Sequence, residues 1–319
     1  MSLDFDSLQD IAQEMTIKGK GILAADESNP TCKKRFDSIG VDSTEQNRNI
    51  YRDMLFTTKG MEEFISGVIL FDETIRQSTI KEEVSFPDFL SDLGVIPGIK
   101  VDAGAKHLSG TNDEKVTEGL DGLDDRLKEY YSLGARFAKW RAVITIGDSE
   151  PSGTCISANA HALARYASLC QKNGIVPIVE PEILMDGAHP IEDSFFVSEE
   201  VLHTVFYELY GQNVELEGMV LKPNMVLSGY NCSDQASVEQ VAELTVTVFK
   251  RSVPSAVPGI AFLSGGQSDE HATAHLNAMN QLIGDNSPWN LTFSYGRALQ
   301  APALKAWAGK DENISDAQE

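Results

Sequence analysis

The sequence predicts an α/β chain closed into one parallel barrel, a (β/α)8 TIM barrel with an additional N-terminal helix, and three observations predict it. Eight short apolar runs recur along the 319 residues. Their starts lie 30 to 46 residues apart, the limits being Gly67 to Pro97 and Gly21 to Gly67, room for one strand, one helix and two loops per unit. The spacers carry helical periodicity. A doubly wound open sheet is the alternative that the same alternation permits.

The first three runs, residues 21–26, 67–72 and 97–102, each end in an acid: Asp26, Asp72 and Asp102. The others are residues 137–143, 176–182, 218–224, 259–264 and 291–296. Among the spacers, residues 154–174 place Ile156, Ala160, Leu163, Ala167 and Cys170 on one helical stripe, with Gly174 as a stop. Further helices are expected over 44–58, over 117–133 before Gly134, and over 237–251, where Ser237 and Gln240 fit a capping box. Ser198, followed by Glu199 and Glu200, fits an N-cap. Residues 1–20 read as an N-terminal helical extension and 310–319 as an acidic surface tail. No linker or fixed-period repeat divides the chain, so residues 1–319 are expected to form a single domain.

Composition excludes several function classes. A formal net charge of −22 repels nucleic acid and anionic membranes over most of the surface, so an anionic substrate must meet a local basic cluster. No run approaches eighteen consecutive apolar residues, and the acidic start Met1-Ser2-Leu3-Asp4-Phe5-Asp6 has no targeting pattern, so the expected location is the cytoplasm. Cys32, Cys155, Cys170 and Cys232 show no CxxC spacing and read as reduced thiols. His271 and His275, four apart, share a helical face, but no third ligand is grouped with them, so no metal site is expected.

The chemistry concentrates at strand ends. In Gly218-Met219-Val220-Leu221-Lys222-Pro223-Asn224 one lysine sits inside an apolar run. A buried ammonium tends to lose its proton, and a neutral amine attacks carbonyls to form Schiff bases. The plainer reading is a lysine whose head reaches water. Side chains alternate faces, so Lys139 shares one with Arg141, Glu180 with Glu182, Lys100 with Asp102, and Lys222 with Asn224. With Asp26 and Ser264 they lie near C-terminal strand ends, where barrel enzymes build their sites. Mutual neutralisation in ion pairs is the structural alternative.

As chemistry, Lys139 is expected to depress the pKa of Lys222. Glu180, if raised by burial or by Glu182, could protonate a departing hydroxyl, and Asp26 offers a second base. Ser264-Gly265-Gly266 after the seventh run and Gly296-Arg297 after the eighth form the two loops that often bind phosphate in this fold. Glycine admits backbone N–H donors and Arg297 adds a fixed fork. Lys33-Lys34-Arg35, shortly after Asp26, offers a second phosphate handle or a solvated helix start.

From about Gly19 to Gln318 the chain closely resembles the class I, Schiff-base fructose-1,6-bisphosphate aldolases. The blocks are GKGILAADES from Gly19, GIKVD from Gly98, FAKWR from Phe137, IVPIVEPEIL from Ile175, LKPNM from Leu221, FLSGGQS from Phe262 and SYGRALQ from Ser294. The resemblance implies reversible cleavage of fructose 1,6-bisphosphate to dihydroxyacetone phosphate and glyceraldehyde 3-phosphate, in glycolysis and gluconeogenesis. It implies Lys222 as nucleophile, Glu180 as acid/base for carbinolamine dehydration, and Asp26 as base for C3–C4 cleavage. Lys139 would assist Lys222, and Glu182 would join the same charge network. Ser264, Gly265, Gly296 and Arg297 would hold the C1 phosphate. Lys100, Arg141, Lys34 and Arg35 would contact the substrate and its other phosphate. The protonated imine is the electron sink, so neither cofactor nor metal is expected, and the family suggests a homotetramer.

Two departures stand out. Thr31 occupies a position where the family commonly has serine. Animal and plant members end in a tail whose terminal tyrosine moves protons at the imine, whereas this sequence stops at Glu319, so slowed or rerouted enamine protonation is expected. Three other readings compete: a related Schiff-base aldolase for sedoheptulose 1,7-bisphosphate; a non-catalytic barrel scaffold, which the presence of Lys222, Glu180 and Asp26 together disfavours; and a metal-dependent aldolase, kept open only by His271 and His275.

Overall fold

Parallel pairing of the apolar runs generates the architecture. The computed structural model describes residues 7–319; the acidic start Met1–Asp6, with that part of the expected N-terminal extension, lies outside the described residues. Strands β1 (Gly21–Ala24), β2 (Ile65–Leu70) and β3 (Ile96–Lys100) come first, then a small antiparallel hairpin, β4 (Ala105–His107) and β5 (Lys115–Thr117). The series continues with β6 (Phe137–Ile144), β7 (Val176–Ile183), β8 (Val220–Leu221), β9 (Gly259–Phe262) and β10 (Asn290–Tyr295). All but the hairpin form a closed barrel in the order β1-β2-β3-β6-β7-β8-β9-β10. Because β1 pairs in parallel with both β2 and β10, the open-sheet alternative is excluded.

The helices are α1 (Leu8–Met15), α2 (Asn29–Asp37), α3 (Glu45–Phe56), α4 (Asp72–Ile75), α5 (Phe86–Asp92) and α6 (Leu123–Ser132). They continue as α7 (Gly153–Lys172), α8 (Ile191–Gly211), α9 (Val238–Ser252), α10 (Asp269–Ile283), α11 (Arg297–Trp307) and α12 (Ile314–Gln318). On α7 the expected stripe is buried, and on α9 both arms of the Ser237–Gln240 capping box form. The acids of the final segment are exposed, while Ile314 and Ala317 pack toward Phe36, Tyr51 and Met54.

Three local expectations are corrected. Ser198 is not an N-cap: α8 begins at Ile191 after Pro190, because Ile191, Ser194 and Phe195 already belong to its buried face. Thr117 belongs to β5, and α6 starts only at Leu123, after Gly122 turns the chain at φ 65°. The sixth strand ends at Leu221, since Pro223 has no N–H for the ladder. Lys222 extends the pairing by one bond, N–H to the Val179 carbonyl at 2.8 Å. Asn224 then leaves the face of Lys222: its Oδ1 accepts from the Ile183 N–H at 3.0 Å, tying β7 to the loop.

Inside the barrel, equal-parity positions change character along the axis. At the N-terminal end Ile22, Ile96, Phe137, Val176 and Val220 pack together, and Ile11, Ala12 and Met15 of α1 join the same cluster and plug that mouth. The same faces continue to Lys139 and Arg141 on β6, and to Glu180 and Glu182 on β7, at the other mouth. The apolar plug leaves the charged end as the mouth that a polar ligand meets.

Phe137 has little slack. A Cβ added at Gly98 would stand 2.2 Å from its ring. Gly98→Ala should therefore destabilise the fold by about 1–3 kcal/mol through overpacking, seen as a lower denaturant midpoint with an unchanged slope.

Candidate active site

One cavity of about 600 Å³ opens at the C-terminal strand ends, and all thirteen residues expected from the sequence line it. Asp26 follows β1, Lys100 ends β3, Lys139 and Arg141 lie on β6, and Glu180 and Glu182 on β7. Lys222 follows β8, Ser264 and Gly265 follow β9, and Gly296 and Arg297 lie where β10 turns into α11. Lys34 and Arg35 of α2 form part of the rim.

At the cavity floor the lysines and carboxylates alternate. Lys139 Nζ stands 2.5 Å from Asp26 Oδ2 and 3.6 Å from Glu180 Oε2, while Lys222 Nζ stands 3.2 Å from Glu180 Oε1. Glu180 thus lies between two lysine Nζ atoms, and its Oε2 makes no hydrogen bond among the described residues. Arg141 Nε pairs with Glu182 Oε2, and Lys100 Nζ lies 3.2 Å from Asp102 Oδ1. Lys222 and Glu180 are each only 3% exposed, so the floor is nearly dry.

Burial alone would discharge both lysines, but their neighbours separate them. Lys139 feels burial first, yet Asp26, Glu180 and Asp102 outweigh it and hold its pKa above the ordinary lysine range. Lys222 also feels burial most; Glu180 and Asp26 offset only part of it, Lys139 adds to it, and the amine is pushed below the usual range. The expectation that Lys139 depresses Lys222 has the correct sign, with desolvation the larger cause. Burial pushes Asp26 up, but Lys139, Lys222 and Lys100 together bring it down to about 2. At neutral pH the floor therefore holds an ionised Asp26 and a charged Lys139 beside a Lys222 that gives up its proton more readily than an ordinary lysine.

The rim supplies unspent cations. Among the described residues, Lys34 and Arg297 have no carboxylate partner. Arg297 opens α11, where Gly296 occupies the N-cap position, so backbone donors and a guanidinium meet in one turn. Arg35 is held by Glu27 and lies 3.3 Å from Gln300 Oε1. It therefore sits beside α11, on the Arg297 side of the cavity.

Comparison with known proteins draws these features together: the family model described as "Glycolytic: Fructose-bisphosphate aldolase class-I" matches residues 7–319. The chain belongs to the class-I fructose-bisphosphate aldolases. A relative in Xanthomonas campestris pv. campestris, named "Probable fructose-bisphosphate aldolase class 1", is 59% identical over 306 residues, 96% of this chain and 91% of the relative. "Fructose-bisphosphate aldolase 4, cytosolic" of Arabidopsis thaliana is 56% identical over 94% of this chain and 76% of its own length. The fold matches a fructose-bisphosphate aldolase of Plasmodium falciparum, solved in complex with TRAP and a small-molecule inhibitor. Its TM-score is 0.95 at 51% identity, covering 100% of this chain and 92% of that one.

Several residues of the aldolase cavity escaped the sequence reading. The Ser294 hydroxyl, on β10, is buried with no hydrogen-bond partner among the described residues and lines the cavity. A polar residue inside the eighth apolar run was the available signal. Glu27 binds Arg52 at 2.9 Å as well as Arg35, and accepts from Gln300 Nε2 at 3.0 Å. That network joins β1, α2, α3 and α11, which no local spacing encodes. Ser28 Oγ adds a hydroxyl to the wall 3.2 Å from that of Thr31, the residue already noted as standing where the family commonly has serine. His275, considered above as half of a metal pair, instead has Nδ1 2.6 Å from Gln267 Oε1. Gln267 Nε2 in turn donates to the Ser264 carbonyl at 2.9 Å, bracing the loop after β9.

Proposed function

We propose that this aldolase cleaves fructose 1,6-bisphosphate through an imine on Lys222. The observation that carries the reading is the buried Lys222 amine, its pKa pushed below the usual lysine range by burial and its Nζ 3.2 Å from Glu180. Lys222 attacks the C2 carbonyl to form a carbinolamine, and Glu180 delivers the proton with which the hydroxyl leaves as water. Asp26 removes the C4 hydroxyl proton while the C3–C4 bond breaks. The electron pair flows into the protonated imine, glyceraldehyde 3-phosphate departs, and an enamine remains. Protonation at C3 and hydrolysis then release dihydroxyacetone phosphate and restore the amine. Lys139 stays charged throughout, keeping Asp26 ionised and opposing reprotonation of Lys222.

The two phosphates hold the substrate across the floor. Ser264, Gly265, Gly296 and Arg297 take the C1 phosphate, where glycine backbone and a guanidinium converge. Lys100, Arg141 and Lys34 contact the substrate chain and the other phosphate. Arg35, lying beside α11, serves the Arg297 side when Glu27 releases it, and Glu182 orients Arg141. The protein acts in the cytosol, as its plant relative is named to do. It assembles as a homotetramer, a reading to which the exposed Phe196, Tyr207 and Tyr210 of α8 lend an apolar contact surface.

Reduction with borohydride in the presence of dihydroxyacetone phosphate tests the mechanism. Peptide mass analysis should place a secondary-amine triose phosphate adduct on Lys222. An adduct on another lysine, or none, would refute it.

A further inference from the structure

The loop assigned above to the C1 phosphate is touched from outside by a residue that no motif singled out. Tyr230 lies in the segment after β8, half-exposed, and its hydroxyl donates to the Gly265 carbonyl at 2.8 Å. That segment is fixed before it reaches the loop. The N–H groups of Gly229, Tyr230 and Asn231 donate to the carbonyls of His189, Met185 and Gly187 at 2.9, 2.8 and 2.8 Å. Gln235 Nε2 ties the turn further, donating to the Gly229 and Cys232 carbonyls at 2.9 Å each.

The contact has consequences on both sides of the peptide. Across a trans peptide the carbonyl and the following N–H point in opposite directions, so holding the Gly265 carbonyl aims the Gly266 N–H the other way. Gly266 has φ +88°, and a Cβ there would stand 1.8 Å from the Tyr230 hydroxyl and 3.0 Å from Arg297 Nη2. The phenol and the guanidinium therefore converge on the same glycine. Burial, the larger influence, raises the Tyr230 pKa and Arg297 opposes it, so the hydroxyl remains a donor at neutral pH.

We infer that Tyr230 is a positioning residue for the C1-phosphate site, setting the Gly265–Gly266 peptide and the Arg297 guanidinium together around one phosphate and so tightening selection for a phosphorylated C1 end. This rests on the assignment of Ser264, Gly265, Gly296 and Arg297 to that phosphate. It concerns affinity at one end of the substrate and leaves the imine chemistry at Lys222 untouched.

Tyr230→Phe removes the hydroxyl and keeps the ring. In the synthesis direction its KM for dihydroxyacetone phosphate should rise about threefold to tenfold, the loss of one hydrogen bond's net contribution. Its KM for glyceraldehyde 3-phosphate, whose phosphate occupies the other site, should stay within about twofold, and kcat should change less than the first KM. A general loosening would move both KM values, which would overturn the proposal. Inorganic phosphate as competitive inhibitor separates the proposal from its premise. If Arg297→Ala weakens inhibition and Tyr230→Phe also weakens it, the proposal stands. If Arg297→Ala weakens it and Tyr230→Phe does not, Tyr230 has no such role. If Arg297→Ala has no effect, the phosphate assignment fails and the proposal with it.

Discussion

Lys222→Met is expected to reduce turnover of fructose 1,6-bisphosphate by at least about 10⁴-fold, the scale on which loss of a covalent nucleophile is felt. Methionine fills a similar volume, so the walls remain and binding of inorganic phosphate at the rim should persist. Lys139 cannot take over. Its ammonium is held by Asp26 at 2.5 Å and its pKa lies above the lysine range, so almost no free amine is available. The check is kcat combined with borohydride trapping on the variant. Appreciable turnover, or an adduct on Lys139, would show that the two lysines had been assigned the wrong way round.

Lys139→Met should cost about 3–5 kcal/mol of stability, because it leaves buried carboxylates without their main countercharge. The loss carries a pH signature. In the native protein Asp26 is held at about 2, below the ordinary carboxylate range, so its ionisation stabilises the fold at higher pH. The contribution disappears as pH falls through about 2. In the variant, burial acts on Asp26 with less opposition and its folded pKa rises, so ionisation at neutral pH opposes folding and protonation relieves the strain. The stability difference between the two proteins should be greatest near neutral pH and shrink as the solution is acidified. Lys222 also loses a neighbour that lowers its pKa, so kcat/KM should fall and its rise with pH should move upward. Denaturant midpoints and pH–rate profiles measure both. A stability difference that does not vary with pH would refute the electrostatic account.

Much of the site was legible because strand parity is a local rule. Lys139 with Arg141, and Glu180 with Glu182, needed only alternation to be placed on one face, and the glycines after the last two strands needed only their position in the repeat. The rule failed at Asn224, where Pro223 ended the strand and the side chain turned to the Ile183 N–H. It failed also at Ser198, where acids inside a helix imitated a helix start. Tyr230 and Glu27 were invisible for a different reason. Their partners, Gly265 and Arg52, lie 35 and 25 residues away and meet them only through packing.

The sequence by itself determined a repeating strand-helix chain, the ring of charged strand ends and the aldolase signature. It did not determine which of the two lysines would have its pKa lowered, since Lys139 and Lys222 each stand in an apolar run. Closure of the barrel decided that. Pairing β1 with β10 and β2 completes a ring in which Asp26 stands against Lys139, while Lys222 receives, among the described residues, only Glu180 as a direct ion-pair partner. Burial penalises both ammonium groups, and the closer, more numerous carboxylates around Lys139 tip the balance, because Coulomb interactions depend on distances that only the folded chain sets.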